Sequence, residues 1–216
     1  MATARPGEAD PEEPRRLAEA VVRLGLAYAV ITSVARDDLP DEGAGMFAEC
    51  IQAVQERAPA VQVEVLTPDF HARRELIGRV VEAGPQVFNH NVETVERLSR
   101  GIRPQADYRR SLEVLRLARE MGGPRLKIKS GLMVGLGERP EEVRETLLDL
   151  RDAGCRLLTV GQYLRPTLEQ REVAEFVPPE RFELYGTWGR EMGFSFVASA
   201  PYVRSSYNAF EAMRER

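Results

Sequence analysis

Short β-branched runs alternate with amphipathic helical stretches along the whole chain, and this limits it to folds built on a parallel sheet. A parallel neighbour is reached only through a crossover of a dozen or more residues, usually a helix, so each strand and the helix after it form one β/α unit. Strands are expected at 28–31, 61–66, 86–88, 126–134, 157–160 and 194–198. The run at 61–66 is β-branched and bounded by Pro59 and Pro68. A first helix is expected after Asp10, with Pro11, Glu12 and Glu13 in its first turn and Leu17, Ala20, Val21 and Leu24 on one face. Met46, Phe47, Cys50, Ile51 and Val54 give the next apolar stripe. Further helices are expected at 71–83, 92–100, 107–121 and 179–191, between Arg139-Pro140 and Gly154, and from about Tyr207 onward.

Doubly wound sheets and full or partial barrels both satisfy this alternation, and the polar residues separate them. Nearly every expected strand runs at its C-terminal end into polar groups: Thr32-Ser33 before Arg36-Asp37-Asp38, then Thr67-Pro68-Asp69, then Asn89-His90-Asn91 with Glu93. Ser130-Gly131 with Gly135 to Glu138, Gly161-Gln162-Tyr163 with Arg165, and Arg204-Ser205-Ser206-Tyr207 continue the series. Polar groups after so many strands converge only when the strands form a ring that collects its site from one face. No glycine-rich dinucleotide fingerprint follows the first strand. The fold class expected is α/β, a TIM-like (β/α) barrel or part of one, in a single domain over residues 1–216 with 194–216 as a C-terminal extension.

Thirty basic and thirty-four acidic residues leave a net charge of −4, not the strong positive balance of a protein that neutralises phosphate backbones. Nucleic acid is not expected as a partner. No apolar run approaches the roughly 20 residues that span a bilayer, and the first ten residues lack the apolar core of a secretory signal. A soluble, cytoplasmic protein with no membrane partner is therefore expected. Two cysteines, Cys50 and Cys155, and two histidines, His71 and His90, cannot supply a cysteine-rich zinc site or the usual thiolate set of an iron–sulfur cluster. Both cysteines fit the role of small core hydrophobes.

Several residues carry chemical alternatives. Gly135-Leu136-Gly137-Glu138 before a helix offers backbone N–H groups to a polar or anionic ligand, or makes a tight turn through positive φ. Lys127 and Lys129 are the only lysines and share a strand face; Lys129 suits either a Schiff base or a pairing with a carboxylate. His90 suits a site or a hydrogen-bonded structural role. Spacing assigns neither a catalytic triad nor a carboxylate pair.

Five strings, in order along the chain, resemble lipoyl synthases of the radical S-adenosylmethionine (SAM) superfamily. They are Val30 to Val34 with Arg36-Asp37-Asp38-Leu39; Phe88 to Asn91 with Glu93-Thr94-Val95; Lys129 to Met133 with Gly135 to Glu138; Gly161 to Pro166; and Val203 to Tyr207. The resemblance covers nearly the whole chain. It implies a partial barrel of the radical SAM type that binds SAM and two 4Fe-4S clusters. The implied reaction inserts sulfur at C6 and C8 of a protein-bound octanoyl-lysine, by a 5′-deoxyadenosyl radical, with one cluster consumed as the sulfur source. Such chemistry is carried by cofactors while the protein positions and shields them. The implied partners are octanoylated lipoyl carrier domains, namely dehydrogenase E2 subunits and the glycine-cleavage H protein. By resemblance, Thr32, Ser33, Asn89, Asn91 and Glu93 lie near the amino-acid and ribose parts of SAM. Ser130, Gly131, Gly135 and Glu138 close around the nucleoside, and Gln162 and Arg165 lie near the substrate or the sulfur-donating side. Ser206 is the implied oxygen ligand to the sacrificed cluster, with Ser205 as the alternative; without the family, a helix-capping serine is the ordinary reading of Ser206.

Ala35, Ala200 and Asn208 depart from the family pattern, which has Asp, Gly and His there. The family's two cysteine triads have no counterpart among the 216 residues. Residues Met1 to Pro6 resemble the family segment directly after its third cluster cysteine, so the expectation is a chain lacking the first strand and the cluster loop, inactive as it stands. The alternatives are a cluster-free relative that binds a nucleoside or an acylated carrier, with Arg36, Asp37 and Asp38 serving in docking, or a barrel lyase or aldolase using Lys129.

Overall fold

The structure is a computed structural model and describes residues 7–211. Six strands form one parallel sheet: β1 (Tyr28–Thr32), β2 (Gln62–Leu66), β3 (Val87–Asn89), β4 (Lys127–Val134), β5 (Leu157–Gln162) and β6 (Phe196–Ser199). Their spatial order is their sequence order. A doubly wound sheet reverses direction at a switch point, so a monotonic order marks a barrel-type sheet with its helices on one side. Among the described residues β1 and β6 do not pair, and each leaves one edge open. The fold is therefore a partial barrel.

The covering helices are α1 (Glu13–Arg23), α2 (Ala44–Arg57), α3 (Arg74–Glu82), α4 (Glu96–Ile102), α5 (Tyr108–Gly122), α6 (Pro140–Asp152) and α7 (Pro179–Glu191). Local chemistry sets several of their ends. Asp107 caps α5 by accepting the Arg110 N–H at 2.9 Å. The Glu142 carboxylate reaches back to the Arg139 N–H at 2.8 Å to start α6. Between the helices and the sheet lies the main core, including Ile51, Val63, Val65, Phe88, Leu112, Ile128, Leu147, Leu158 and Val160.

Three boundaries differ from expectation. Residues 70–72 form a separate 3-10 turn with left-handed backbone instead of the start of α3. The helix expected from residue 92 begins at Glu96, because the Glu93 N–H and C=O extend the pairing with β4 at Gly131 and Met133. The tail expected to be helical runs as successive turns over 205–210 and a single 3-10 residue at 211, folded back onto the barrel. The resemblance drawn from Met1 to Pro6 and the tail beyond residue 211 lie outside the described residues.

The face of the sheet away from the helices is layered. Val87, Leu157 and Phe196 make a small apolar cluster at its base. On the same face lie Glu64, level with Val87, Lys129, level with Leu157, and Asn89 beside Lys129, and further along come Gly131, Thr159 and Gly161. Strand alternation alone sorts these residues from the core set.

Candidate functional site

The middle layer is a polar network sealed inside the barrel. The Lys129 ammonium donates to both Glu64 carboxylate oxygens at 2.8 and 3.0 Å, and both side chains are fully buried. The Tyr28 hydroxyl donates to Glu64 at 2.6 Å and the Asn89 amide at 3.0 Å. Burial and the Glu64 charge push the Tyr28 phenol up, so it stays a donor. Such a pair is held by the hydrogen bonds around it, since desolvation offsets much of its Coulombic attraction. Glu64 alternates with Val63 and Val65, the one signal in the sequence for a carboxylate on the inner face.

Above this network, at the C-terminal ends of β3 to β5, a cavity of about 100 Å3 is lined by Asn91, Glu93, Gly131, Thr159, Gly161, Arg204 and Ser205, among others. Its wall holds unfilled polar capacity in Asn91, whose side-chain oxygen is buried without a hydrogen-bond partner, as is that of Asn89 at the end of β3. Glu93 holds a left-handed backbone at φ 67°, unusual for a residue with a Cβ. Burial raises its carboxyl above the usual range, while the Arg103 charge and an Asn91 hydrogen bond pull the other way. Glycine is needed at two positions here. A Cβ on Gly131 would lie 2.4 Å from the Thr159 hydroxyl, and one on Gly161 would lie 2.2 Å from the Val203 carbonyl oxygen of the tail. The tail thus roofs the cavity, held by the Gln162 N–H to the Pro201 C=O and by an edge contact of Phe210 with Tyr28.

Of the residues expected at the site, Asn91, Glu93 and Gly131 line this cavity and Asn89 lies beneath them. Thr32 and Ser33 instead border a separate cavity of about 430 Å3 along β1, with Leu17, Phe47 and Cys50. Ser130 lies on the opposite, helix-facing side of β4, where its hydroxyl accepts the Val92 N–H at 3.3 Å. Gly135 and Gly137 take φ of 94° and 98°. The Gly135 and Leu136 N–H groups are already occupied by the Glu138 carboxylate at 2.6 and 2.9 Å, so the expected ligand cradle is filled by the chain itself. Gln162 is consumed structurally, donating to the Tyr163 and Glu175 carbonyls and accepting the Val177 N–H. Arg165 binds the Gln170 and Leu168 carbonyls of its own loop. Ser205 lines the cavity, whereas Ser206 is exposed on the tail.

His90 is structural: its Nδ1–H donates to the Thr67 carbonyl at 2.9 Å and its Nε2 accepts from Ser111 at 3.0 Å. Burial lowers its pKa to about 4, keeping it neutral. The thiols of Cys50 and Cys155 are pushed up by burial, the former to about 11, so neither is a ready thiolate. They sit on different elements, in α2 and at the turn into β5. The described residues do not fit a cysteine-ligated cluster. The cavity residues do fit a polar, donor-bearing ligand, through the unpartnered Asn91 amide oxygen and the Glu93 carboxyl.

The radical SAM superfamily model matches residues 2–150. The lipoyl synthase of Caldanaerobacter subterraneus subsp. tengcongensis is 55% identical over 204 residues, covering 94% of this chain and 71% of the relative. The chain belongs to the lipoyl synthase family. The lipoyl synthase of Rubrobacter xylanophilus is 54% identical over 209 residues, spanning 97% of this chain and 65% of that protein. The chain thus spans just under two thirds of the length of that relative. Among solved structures, HydG, a maturase of the [FeFe]-hydrogenase, superposes with a TM-score of 0.68 at 16% identity over 98% of this chain and 56% of its own. The Bacillus subtilis HMG-CoA lyase superposes at 0.56 with 14% identity over 94% and 76% of the two chains. These two likenesses speak for the barrel alone. The lyase or aldolase reading is not favoured, because Lys129 is locked in a buried ion pair and the sequence relatives are lipoyl synthases.

Proposed function

We propose that this barrel binds SAM on its inner face and serves lipoyl synthesis, the insertion of sulfur at C6 and C8 of octanoyl-lysine on a lipoyl carrier domain, E2 subunits and H protein being the carriers of that class. No helix of the described residues is long and apolar enough to cross a membrane, and a cytoplasmic setting belongs to the same proposal. One observation carries the reading: the buried, unpartnered Asn91 Oδ1 and the Glu93 carboxyl line one cavity at the C-terminal ends of the strands, with a second unpartnered amide oxygen, Asn89 Oδ1, at the end of β3. These are acceptors for an ammonium or hydroxyl donor, and SAM carries both.

SAM, when bound, supplies the 5′-deoxyadenosyl group that the family uses on unactivated carbon. The residues of the chain bind and orient it: Glu93 and Asn91 take the amino-acid end, and Gly131 and Gly161 let the ligand approach the backbone. A cavity of about 100 Å3 accommodates only part of such a molecule, since pockets for ligands of that size measure roughly 300 Å3 or more. Binding therefore requires the 200–207 segment to lift from β5. Ser206 on that segment remains the proposed oxygen ligand toward the sulfur-donating cluster, with the thiolate ligands for both clusters not furnished by Cys50 or Cys155. Thr32 and Ser33, along the edge strand, border the second cavity, which suits the acyl substrate better than SAM.

Calorimetric titration of SAM tests the proposal. The unmodified chain is expected to bind, and Asn91→Ala and Glu93→Gln are each expected to weaken binding by about tenfold, the value of one hydrogen bond to a charged group. No heat of binding, or an affinity unchanged in both variants with the fold retained by circular dichroism, would sink it.

A further inference from the structure

Outside the SAM-facing cavity, the described residues contain one constellation whose donors suit a metal ion. Asp37 in the loop after β1, Glu42 just before α2 and His71 in the 3-10 turn after β2 bring one ligand atom each within 4.8 Å of one another. His71 Nδ1 and Glu42 Oε1 are hydrogen-bonded at 2.8 Å, close to the spacing of two adjacent ligands on an ion with bonds of about 2.1 Å, so an ion would take the place of the shared proton. Glu42 is buried and the other two side chains are exposed, so closing the third donor onto the same ion needs only side-chain rotation.

The backbone is bent to make this meeting. Phe70, His71 and Ala72 take φ of 45°, 47° and 53° in succession, and Glu42 takes 50°. Residues with a Cβ persist there only where the surroundings impose it, and such outliers gather at functional sites. Phe70 anchors the turn by its full burial and its edge contact with Phe47, and Asp69 caps it through the His71 N–H at 3.0 Å. Arg73 is the counterweight: its guanidinium lies 3.1 Å from the same Glu42 oxygen, leaving the three ligands with a net charge near −1 when His71 is neutral.

Asp37 and His71 also wall a cleft of about 850 Å3 with Asp69, Arg103 and Arg110, so the remaining coordination positions open toward solvent. One imidazole with two carboxylates and open positions suits a divalent transition ion of Mn2+ or Zn2+ type better than calcium, which takes oxygen ligands alone. We propose that Asp37, Glu42 and His71 bind one divalent transition-metal ion, at a mononuclear site distinct from the SAM-facing cavity.

Titration of the untagged, chelator-treated 216-residue chain with Mn2+, followed by loss of the free-ion electron paramagnetic resonance signal, tests this. One bound ion per chain, displaced by Zn2+, is expected, and His71→Gln and Asp37→Asn should each weaken binding by about tenfold or more. Both positions are exposed, so neither change threatens the fold, and circular dichroism checks that. Absence of Mn2+ binding up to about 1 mM, or an affinity unchanged in either variant, would overturn the assignment.

Discussion

Lys129 shows at the scale of one residue how a sequence can name a group without its partner. The alternation of β4 places Lys129 inside the barrel, but its neighbour Glu64 is 65 residues away and meets it only through the sheet register. The sequence leaves a covalent role open beside the more ordinary pairing with a carboxylate, and the full burial of both groups decides for the pair. His90 is the same case: its two partners, Thr67 and Ser111, come from different units. The pair makes a stability prediction. Lys129→Met strands the Glu64 carboxylate in the barrel interior with only the Tyr28 and Asn89 donors, and should cost about 3–5 kcal/mol in urea denaturation. Replacing both residues, as Lys129→Met with Glu64→Leu, removes the uncompensated charge and should recover much of that loss. A double variant no more stable than the single one would show that the pair is not an electrostatic unit.

Among the elements, those with strong periodicity are the legible ones. The strands and α5, α6 and α7 stand within a few residues of expectation, because their apolar stripes or β-branched runs are long. The misread segments are set by long-range contacts that a local window does not contain. Asn91 to Val95 has helix-compatible residues, yet the Glu93 backbone pairs with β4. The tail from Tyr207 folds back because Gly161 leaves room for the Val203 carbonyl against β5, and the glycine string Gly135 to Glu138 binds its own Glu138. Gly161 therefore governs the roof of the site. Gly161→Ala places a methyl 2.2 Å from a backbone oxygen that cannot rotate away, so the tail must move, at a cost of about 1–3 kcal/mol. Hydrogen exchange over residues 200–207 should rise while β4 and β5 keep their protection. Exchange unchanged in that segment would mean that the tail is not seated on β5 as described.

The whole molecule joins a family whose cofactor needs exceed what these residues provide. The inner face carries a polar layer with unpartnered amide acceptors, while the two thiols are buried and pushed away from ionisation by that burial. The barrel class was legible because polar groups after successive strands converge only in a ring; the division into two cavities was not, because Thr32 and Asn91 both follow strands and only the sheet curvature separates them. Ligand binding and cluster binding should then come apart in the 216-residue chain. Incubated anaerobically with ferrous iron, sulfide and a thiol reductant, it should acquire neither inorganic sulfide nor the broad visible absorbance of an iron–sulfur cluster. A cubane needs several thiolates together, whereas Cys50 and Cys155 sit on different elements and burial opposes the deprotonation of both. The Asp37, Glu42 and His71 site holds at most one iron and no sulfide, so counting both elements separates the cases. Four irons with four sulfides per chain would show that the core opens to supply ligands, and would remove the distinction between binding a ligand and binding a cluster in these residues.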